Sequence, residues 1–171
     1  MGFQRMLEPP KVYVEAKKRE KENIRFRTFL KNRAIPDELD QHFLALHNAL
    51  FTNFDCCKCA NCCRSYSTSL EESEVDSIAT FLGLSKRNFT EEYLALSIEG
   101  YELKAPCRFL KKNGECEIQA CKPATCKGFP HTDKPGRLES LLGILSFAKI
   151  CPVVFEMLER LKVIYRFRTG R

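Results

Sequence analysis

The chain has 171 residues, of which 44% are hydrophobic and 29% charged, and this composition is ordinary for a folded soluble protein. It contains no run of about 18 apolar residues, so we expect no membrane span. The N-terminus lacks the apolar stretch of a secretory signal, and we therefore expect a cytoplasmic protein.

The net charge of +6 is concentrated near the N-terminus. Of the 28 Lys and Arg and the 22 Asp and Glu, residues 1–33 contain ten and four, so the rest of the chain is balanced. We therefore predict a basic N-terminal helical extension over residues 1–33 and a cysteine-cluster domain over residues 34–171. The basic segment could attract nucleic acid. A solvated helix with ion pairs such as Glu15 with Arg19 explains it more simply.

Two helices are predicted before the first cysteine. Residues 11–33 have a helical pattern that should end at Ile35, because the residue before a proline avoids the helical region. Residues 37–51 are amphipathic. Their apolar side chains recur at helical spacing at Leu39, Phe43, Leu46 and Leu50.

The middle of the chain predicts two short helices and a hairpin. Ser69 and Glu72 have the spacing of a capping box, for a helix that ends at Gly83. A second helix is predicted from Thr90 to about Ser97. Strand-like pieces flank Asn113-Gly114, a strong hairpin signal because both turn positions favour positive φ.

Residues 137–168 form a long helical pattern that Cys151-Pro152 should break or kink. Together these elements predict an α+β fold. We expect a small, mostly helical domain with one β-hairpin and cysteine-rich metal-binding loops.

The ten cysteines carry the chemistry of this sequence. In a reducing compartment, clustered cysteines are typical of metal sites rather than of disulfides. A Cys-x2-Cys loop lets both sulfurs face one concavity while backbone amides donate to them, which suits zinc and iron–sulfur clusters. The first group is Cys56, Cys59, Cys62 and Cys63, with Cys57 as an extra. The second is Cys107, Cys116 and Cys126, with Cys121 as an extra, and Cys151 is the tenth.

Basic residues adjoin these cysteines and would compensate the negative charge of metal-bound thiolates. They are Lys58, Arg64, Arg108, Lys122 and Lys127.

These motifs resemble the YkgJ-like cysteine-cluster family of zinc- or iron-chelating domains, over about residues 54–130. The family pattern is roughly C-x2-C-x2-C-C-R, then P-C-x-F-L, then C-x-I-Y-x-x-R-P-x-x-C-R-x-F-P. The matching residues are Cys56, Cys59, Cys62, Cys63 and Arg64, then Pro106, Cys107, Phe109 and Leu110, then Cys116, Ile118, Pro123, Cys126, Phe129 and Pro130. The departures are Ala60 for Gly, Gln119 for Tyr, and Lys122 and Lys127 for Arg.

The resemblance implies metal chelation. With Cys151 added to the seven cysteines of the pattern, eight ligands are predicted, enough for two four-ligand sites or one site with spare thiols. They are Cys56, Cys59, Cys62, Cys63, Cys107, Cys116, Cys126 and Cys151. We interpret Cys57 and Cys121 as packed thiols, His131 as an exposed loop residue, and His42 and His47 as structural.

The sequence favours an iron–sulfur cluster and leaves zinc as the alternative. Cys56, Cys59 and Cys62 have the ferredoxin spacing, and Cys151 before Pro152 could supply a remote fourth ligand. Zinc would instead use Cys56 and Cys59 with two cysteines of the second group. Adjacent Cys62 and Cys63 should diverge, which suggests two metals or one ligand beside one packed thiol.

We found no phosphate-binding loop, His-Glu-x-x-His helix or nucleophile elbow in the sequence. We therefore expect a non-catalytic metal-binding protein with a redox or protein partner. One alternative is an iron–sulfur-dependent enzyme component for methyl transfer or redox chemistry, since a related cysteine block occurs in flagellin lysine methylases. The other is a zinc module that binds nucleic acid through residues 1–33.

Overall fold

The computed structural model describes residues 6–98 and 100–168. Its elements group into two units, the helical unit (Met1–Phe54 and Pro130–Arg171) and the cysteine unit (Asp55–Phe129). Helices predominate, and the strands of the described residues form a three-stranded antiparallel sheet, so the predicted α+β class is confirmed. Within the same residues, every helix is too short or too polar to cross a bilayer.

The elements follow one another in a simple order. The helical unit begins with α1 (Pro9–Lys18), α2 (Glu20–Arg33) and α3 (Pro36–Phe51). The cysteine unit contains α4 (Cys56–Cys59), α5 (Asn61–Ser65), β1 (Thr68–Leu70), α6 (Glu72–Phe81), α7 (Lys86–Tyr93), β2 (Ala95–Ser97), β3 (Gly100–Leu103), a 3₁₀ turn (Gln119–Cys121) and α8 (Ala124–Gly128). The chain returns to the helical unit with α9 (Arg137–Phe147) and α10 (Pro152–Ile164).

The N-terminal segment forms two helices where a single one was predicted. Arg19 leaves the helical region between α1 and α2, with φ −95° and ψ 5°. Its guanidinium lies 2.7 Å from the Glu159 carboxylate and over the Phe155 ring, at 5.7 Å from the centroid. Glu15 pairs instead with Lys18, at 2.6 Å. The predicted Glu15–Arg19 pair is therefore replaced by a contact to α10 that local spacing could not reveal.

The core of the helical unit is centred on α10, because eight of its 13 residues are buried. α1 and α3 pack against α10, and α9 packs against α2, α3 and α10. The predicted break before Pro152 is confirmed, and the proline begins α10, where its missing N–H leaves no helical bond unmade. Fully buried side chains of this unit include Phe26, Leu30, Leu39, Phe43, Leu141, Ile144, Met157 and Leu158.

A buried lysine joins α2 to α10. Lys162 is only 6% exposed, and its Nζ lies 2.9 Å from Glu22 and 2.6 Å from Glu159. Glu20 similarly lies 2.6 Å from Lys149. Glutamates of the basic N-terminal segment therefore pair with lysines from the C-terminal part of the chain.

A carboxylate of α3 caps the N-terminus of α9. The Asp40 carboxylate accepts hydrogen bonds from the backbone N–H groups of Gly136 and Arg137, both at 2.8 Å. These amides have no partner within the helix, and a carboxylate there also interacts favourably with the helix dipole.

The sheet of the cysteine unit has the order β1-β3-β2. β2 and β3 form a hairpin, whereas the predicted hairpin at Asn113-Gly114 is reduced to a turn closed by one bridge between Leu110 and Cys116. The turn prediction is thus confirmed, but the regular strands lie elsewhere. β1 reaches β3 across more than thirty residues, with Thr68 opposite Leu103, a pairing that local pattern does not encode.

The predicted capping box at Ser69 and Glu72 is wrong by two residues. Ser69 lies in β1, and the box that begins α6 is formed by Glu71 and Glu74. α7 likewise begins earlier than predicted, because the Ser85 hydroxyl accepts the Asn88 N–H at 3.2 Å. The core of this unit is built from Leu70, Val75, Ile78, Ala79, Phe89, Leu103, Phe109 and Ile118.

We expect Lys162→Met to lower the free energy of unfolding by about 1–3 kcal/mol, because it leaves two partly buried carboxylates without this cation. Arg87→Met is the matched control, since the Arg87–Glu91 pair is exposed on α7, and it should cost at most about 0.5 kcal/mol. Urea denaturation at constant metal content measures both. Equal stabilities for the two variants would contradict a structural role for the Lys162 pairs.

Candidate metal centre

The first cysteine loop is built around two short helices. Asp55 precedes α4, and its carboxylate accepts the backbone N–H groups of Cys57 at 2.9 Å and Lys58 at 3.2 Å. Ala60 then adopts a left-handed conformation, with φ 45°, and turns the chain into α5. Arg64 closes the loop by donating from Nη1 to the Cys59 carbonyl at 2.8 Å.

The second cysteine segment is attached directly to the first. The Cys107 N–H donates to the Cys63 carbonyl at 2.7 Å. The turn at Gly114 also lies against the Cys57 carbonyl, because an added Cβ at Gly114 would come within 2.0 Å of that oxygen. Both contacts are made by backbone atoms, so they fix the distance between the two segments without depending on side-chain rotamers.

The third cysteine segment, α8 with Cys126, is held by a glutamate of α6. One oxygen of the Glu74 carboxylate accepts the Glu71 N–H at 2.9 Å, and the other accepts the Ala124 N–H at 2.7 Å. Ala124 is the first residue of α8, which contains Cys126. The Glu74 side chain therefore caps the N-terminus of α6 and also positions α8.

These three segments surround a cavity of about 50 Å³ within the cysteine unit. Tyr66 and Phe129 form part of its wall, with ring centroids 5.3 Å apart. The half-buried Lys122 also lines it. The cysteines in its lining are Cys62, Cys63, Cys107, Cys116 and Cys126, five of the eight predicted ligands.

The other three predicted ligands are placed differently. Cys56 and Cys59 do not belong to the described residues that line the cavity. They lie on α4, where Cys56 is exposed and Cys59 is buried. Cys151 belongs to the helical unit, where it is 7% exposed and immediately precedes α10. The ligand role of all eight cysteines stays a prediction.

Cys62 and Cys63 do not diverge as predicted. Both line the cavity, and their Sγ atoms are 4.0 Å apart. Cys62 and Cys63 therefore form a close pair of thiols, and the choice between two metals and one ligand beside a packed thiol stays a prediction.

Backbone amides point at several of these sulfurs. Cys59, Cys107 and Cys116 each accept a hydrogen bond from the N–H two residues later, and Cys107 also accepts from Leu110. Such bonds favour the thiolate form and tune the electronic properties of a metal–sulfur centre. The same local geometry recurs in two separate loops.

Burial and charge act in opposite directions on the thiols. Burial raises the pKa of Cys126 to about 11, and it also raises the pKa of Cys107 and Cys116. The hydrogen bond with Cys62 lowers the pKa of Cys63 to about 6. The positive charge of Lys122 favours the thiolate forms of Cys63, Cys116 and Cys126.

The cysteines surround a space and do not converge on one point. Over residues 6–98 and 100–168, no three Cys, His, Asp or Glu side chains are grouped closely enough to hold a metal ion. The donor set nevertheless fits a thiophilic metal, because thiolates are the preferred ligands of zinc and of iron–sulfur clusters.

Residues 55–152 match the CxxCxxCC family, described as "Putative zinc- or iron-chelating domain". The match covers more than half of the chain and confirms the resemblance found in the sequence. The chain belongs to this family. The matched range extends beyond residue 130 and includes Cys151. No curated protein and no solved structure matches the chain.

Two departures from the family pattern have a structural explanation. Ala60, where the family usually has Gly, occupies the left-handed turn between α4 and α5, a conformation that Gly adopts without steric cost. Lys122 keeps the positive charge of the usual Arg and faces the cavity.

Not every basic neighbour faces the sulfurs. Arg108 lies over the Tyr93 ring, 4.7 Å from its centroid, and Lys58 pairs with Asp55 at 3.5 Å. Two histidines of the helical unit are hydrogen-bonded as the structural interpretation expects, His42 to Tyr165 and His47 to Thr132. His131, predicted as an exposed loop residue, is half-buried.

Sequence analysis missed two residues that position the cysteines. Glu74 was not recognised because the capping box was assigned two residues too early, although Glu71 and Glu74 have the correct spacing. Thr68 is 3% exposed, and its hydroxyl hydrogen-bonds to Cys126, a long-range contact that no local motif signals.

Gly114→Ala should destabilise the protein by about 1–3 kcal/mol more than Gly83→Ala, because only the first places a methyl group on a backbone oxygen. Both glycines have positive φ, 88° and 69°, so both variants bear the same kind of backbone strain, but nothing lies within 4 Å of a Cβ at Gly83. Chemical denaturation of the two variants measures the difference. Equal losses would show that the turn does not pack against the first loop.

Proposed function

We propose that the chain is a non-catalytic protein that holds an iron–sulfur cluster, with zinc as the alternative, on the thiols of the cavity. The observation that carries this proposal is that five predicted ligands from three separate segments line one cavity. The family assignment supports chelation of zinc or iron and leaves the choice of metal open.

The surroundings of the sulfurs support thiolate ligation. A cluster or zinc ion with four thiolates is anionic, and this charge needs compensation from cations or amides. Lys122 supplies a cation at the cavity, and the N–H groups of Phe109 and Ile118 donate to Cys107 and Cys116. In this setting a bound metal would stabilise the thiolate forms that burial alone disfavours.

The arrangement favours a cluster over a single ion. A single zinc requires four donors converging within about 2.3 Å of one point. The described cysteines line a space of about 50 Å³ without such convergence, which better suits a group of several atoms. The close pair Cys62 and Cys63 is the observation that keeps zinc as the alternative, since sulfurs 4.0 Å apart can share one tetrahedral ion.

Cys56, Cys59 and Cys151 remain proposed ligands. The Asn61 N–H donates a hydrogen bond to the Cys59 sulfur, as the N–H groups two residues later do to Cys107 and Cys116. We propose a reducing, cytoplasmic location, where thiols stay available as metal ligands, and a redox or protein partner.

Nucleic-acid binding through the N-terminal segment is the weaker alternative. Phe26 is fully buried, and its ring lies 5.0 Å from Phe167 and 6.3 Å from Phe29. These aromatic rings therefore anchor α2 within the helical unit. Tyr13 is exposed and remains available for stacking.

Protein purified without oxygen should contain iron and acid-labile sulfide in equal amounts, with a broad absorption band in the blue. Metal analysis, sulfide determination and an absorption spectrum test this together. Zinc without sulfide would refute the iron–sulfur cluster and support the zinc site. Neither metal, with ten titratable thiols, would refute chelation.

Cys126→Ser should lower the metal affinity, measured by competition with a chelator, by more than about 100-fold. Loss of a hydrogen-bond partner of a ligand already costs about 10–100-fold, and loss of the ligand itself should cost more. Cys57→Ser is the matched control, because Cys57 is an exposed cysteine of the first loop and not the packed thiol that the sequence predicted. It should retain the metal of the unaltered protein. The ligand assignment fails if the two variants lose metal equally.

A further inference from the structure

The helical unit contains a second cavity, of about 160 Å³, lined by residues of α1 and α2 and by residues 142–149. It is larger than the cavity between the cysteines. Its wall combines two neutral polar side chains, Asn23 and Ser146, with an ion pair and an apolar surface. None of these features is needed for metal binding, so the cavity calls for an explanation of its own.

Asn23 is the buried polar side chain in this wall, whereas Ser146 is exposed. It is only 5% exposed, and its Oδ1 has no hydrogen-bond partner within the part of the chain that the structure describes. Buried polar atoms in proteins nearly always have a partner, so an orphaned acceptor in a cavity wall points to a missing donor. Rotation about χ2, which is soft for Asn, can present Oδ1 to the cavity.

Charges of both signs lie beside Asn23. The Glu20 carboxylate is 2.6 Å from the Lys149 ammonium and 3.1 Å from that of Lys17. Two lysines therefore share one glutamate, and of the two Lys149 lines the cavity, where its ammonium can interact with an anionic group. The glutamate can at the same time attract a cation.

The apolar part of the wall is unusually exposed. Leu142 is 63% exposed and Ile24 is 52% exposed, and Leu145 lies beside them in the lining. A ligand with a short apolar chain would cover this surface and gain the free energy of its removal from water.

We propose that this cavity binds an apolar α-amino acid. The ligand ammonium supplies the donor for Asn23 and interacts with Glu20, and the carboxylate interacts with Lys149. The aliphatic side chain covers Ile24, Leu142 and Leu145. The size is appropriate, because a cavity of about 150 Å³ is enough to hold benzene.

The test is calorimetric titration of the full chain, loaded with its metal, with L-leucine. Saturable binding is expected. N-acetyl-L-leucine lacks the ammonium, L-leucinamide lacks the carboxylate and glycine lacks the side chain, so each should bind at least about tenfold more weakly. No binding of leucine, or equal binding of N-acetyl-L-leucine, would overturn the proposal and leave a solvent-filled cavity.

Variants locate the binding. Asn23→Leu removes the acceptor, and Ser146→Leu fills the cavity from an exposed position that does not endanger folding. Both should abolish the leucine signal. Thr28→Leu, at an exposed position of α2, is the matched control and should preserve it. Leucine binding that persists in Ser146→Leu would place the site elsewhere, whatever the behaviour of Asn23→Leu.

Discussion

The hydrogen bond from the Cys107 amide to the Cys63 carbonyl joins two segments that are more than forty residues apart in the sequence. It joins backbone to backbone at a distance of 2.7 Å, and the packing of Gly114 against Cys57 reinforces it nearby. The cavity exists because these contacts hold the loops side by side. Glu74 then positions the third segment from α6, so the cysteine unit arranges its thiols through backbone amides and one carboxylate.

This arrangement makes the thiols dependent on a cation. Burial raises the pKa of Cys107, Cys116 and Cys126, which disfavours their charged forms, and Lys122 offsets only part of this effect. A metal ion bound to thiolates reverses the balance, because it is a much larger local charge than a lysine. Metal affinity and the stability of the cysteine unit should therefore change together.

The features that were predicted correctly from the sequence depend on residues that are close to one another along the chain. Helix α3, the break at Pro152 and the turn at Gly114 follow from apolar spacing and from the backbone preferences of proline and glycine. The cysteine spacing identified the family, and five of the eight cysteines that it predicted as ligands line the cavity. The division of the N-terminal helix at Arg19 and the pairing of β1 with β3 require partners far along the chain. The close approach of the Cys62 and Cys63 sulfurs was missed because it depends on the rotamers that both side chains adopt at the cavity.

The order of the two units along the chain has a consequence for synthesis. The cysteine unit, Asp55–Phe129, is inserted between the two halves of the helical unit. Its last cysteine therefore leaves the ribosome before α9 and α10 are made, although α10 supplies the centre of the other core. Since domains fold as units while the chain is elongated, we expect the inserted unit to fold first and α1 to α3 to wait for their partners.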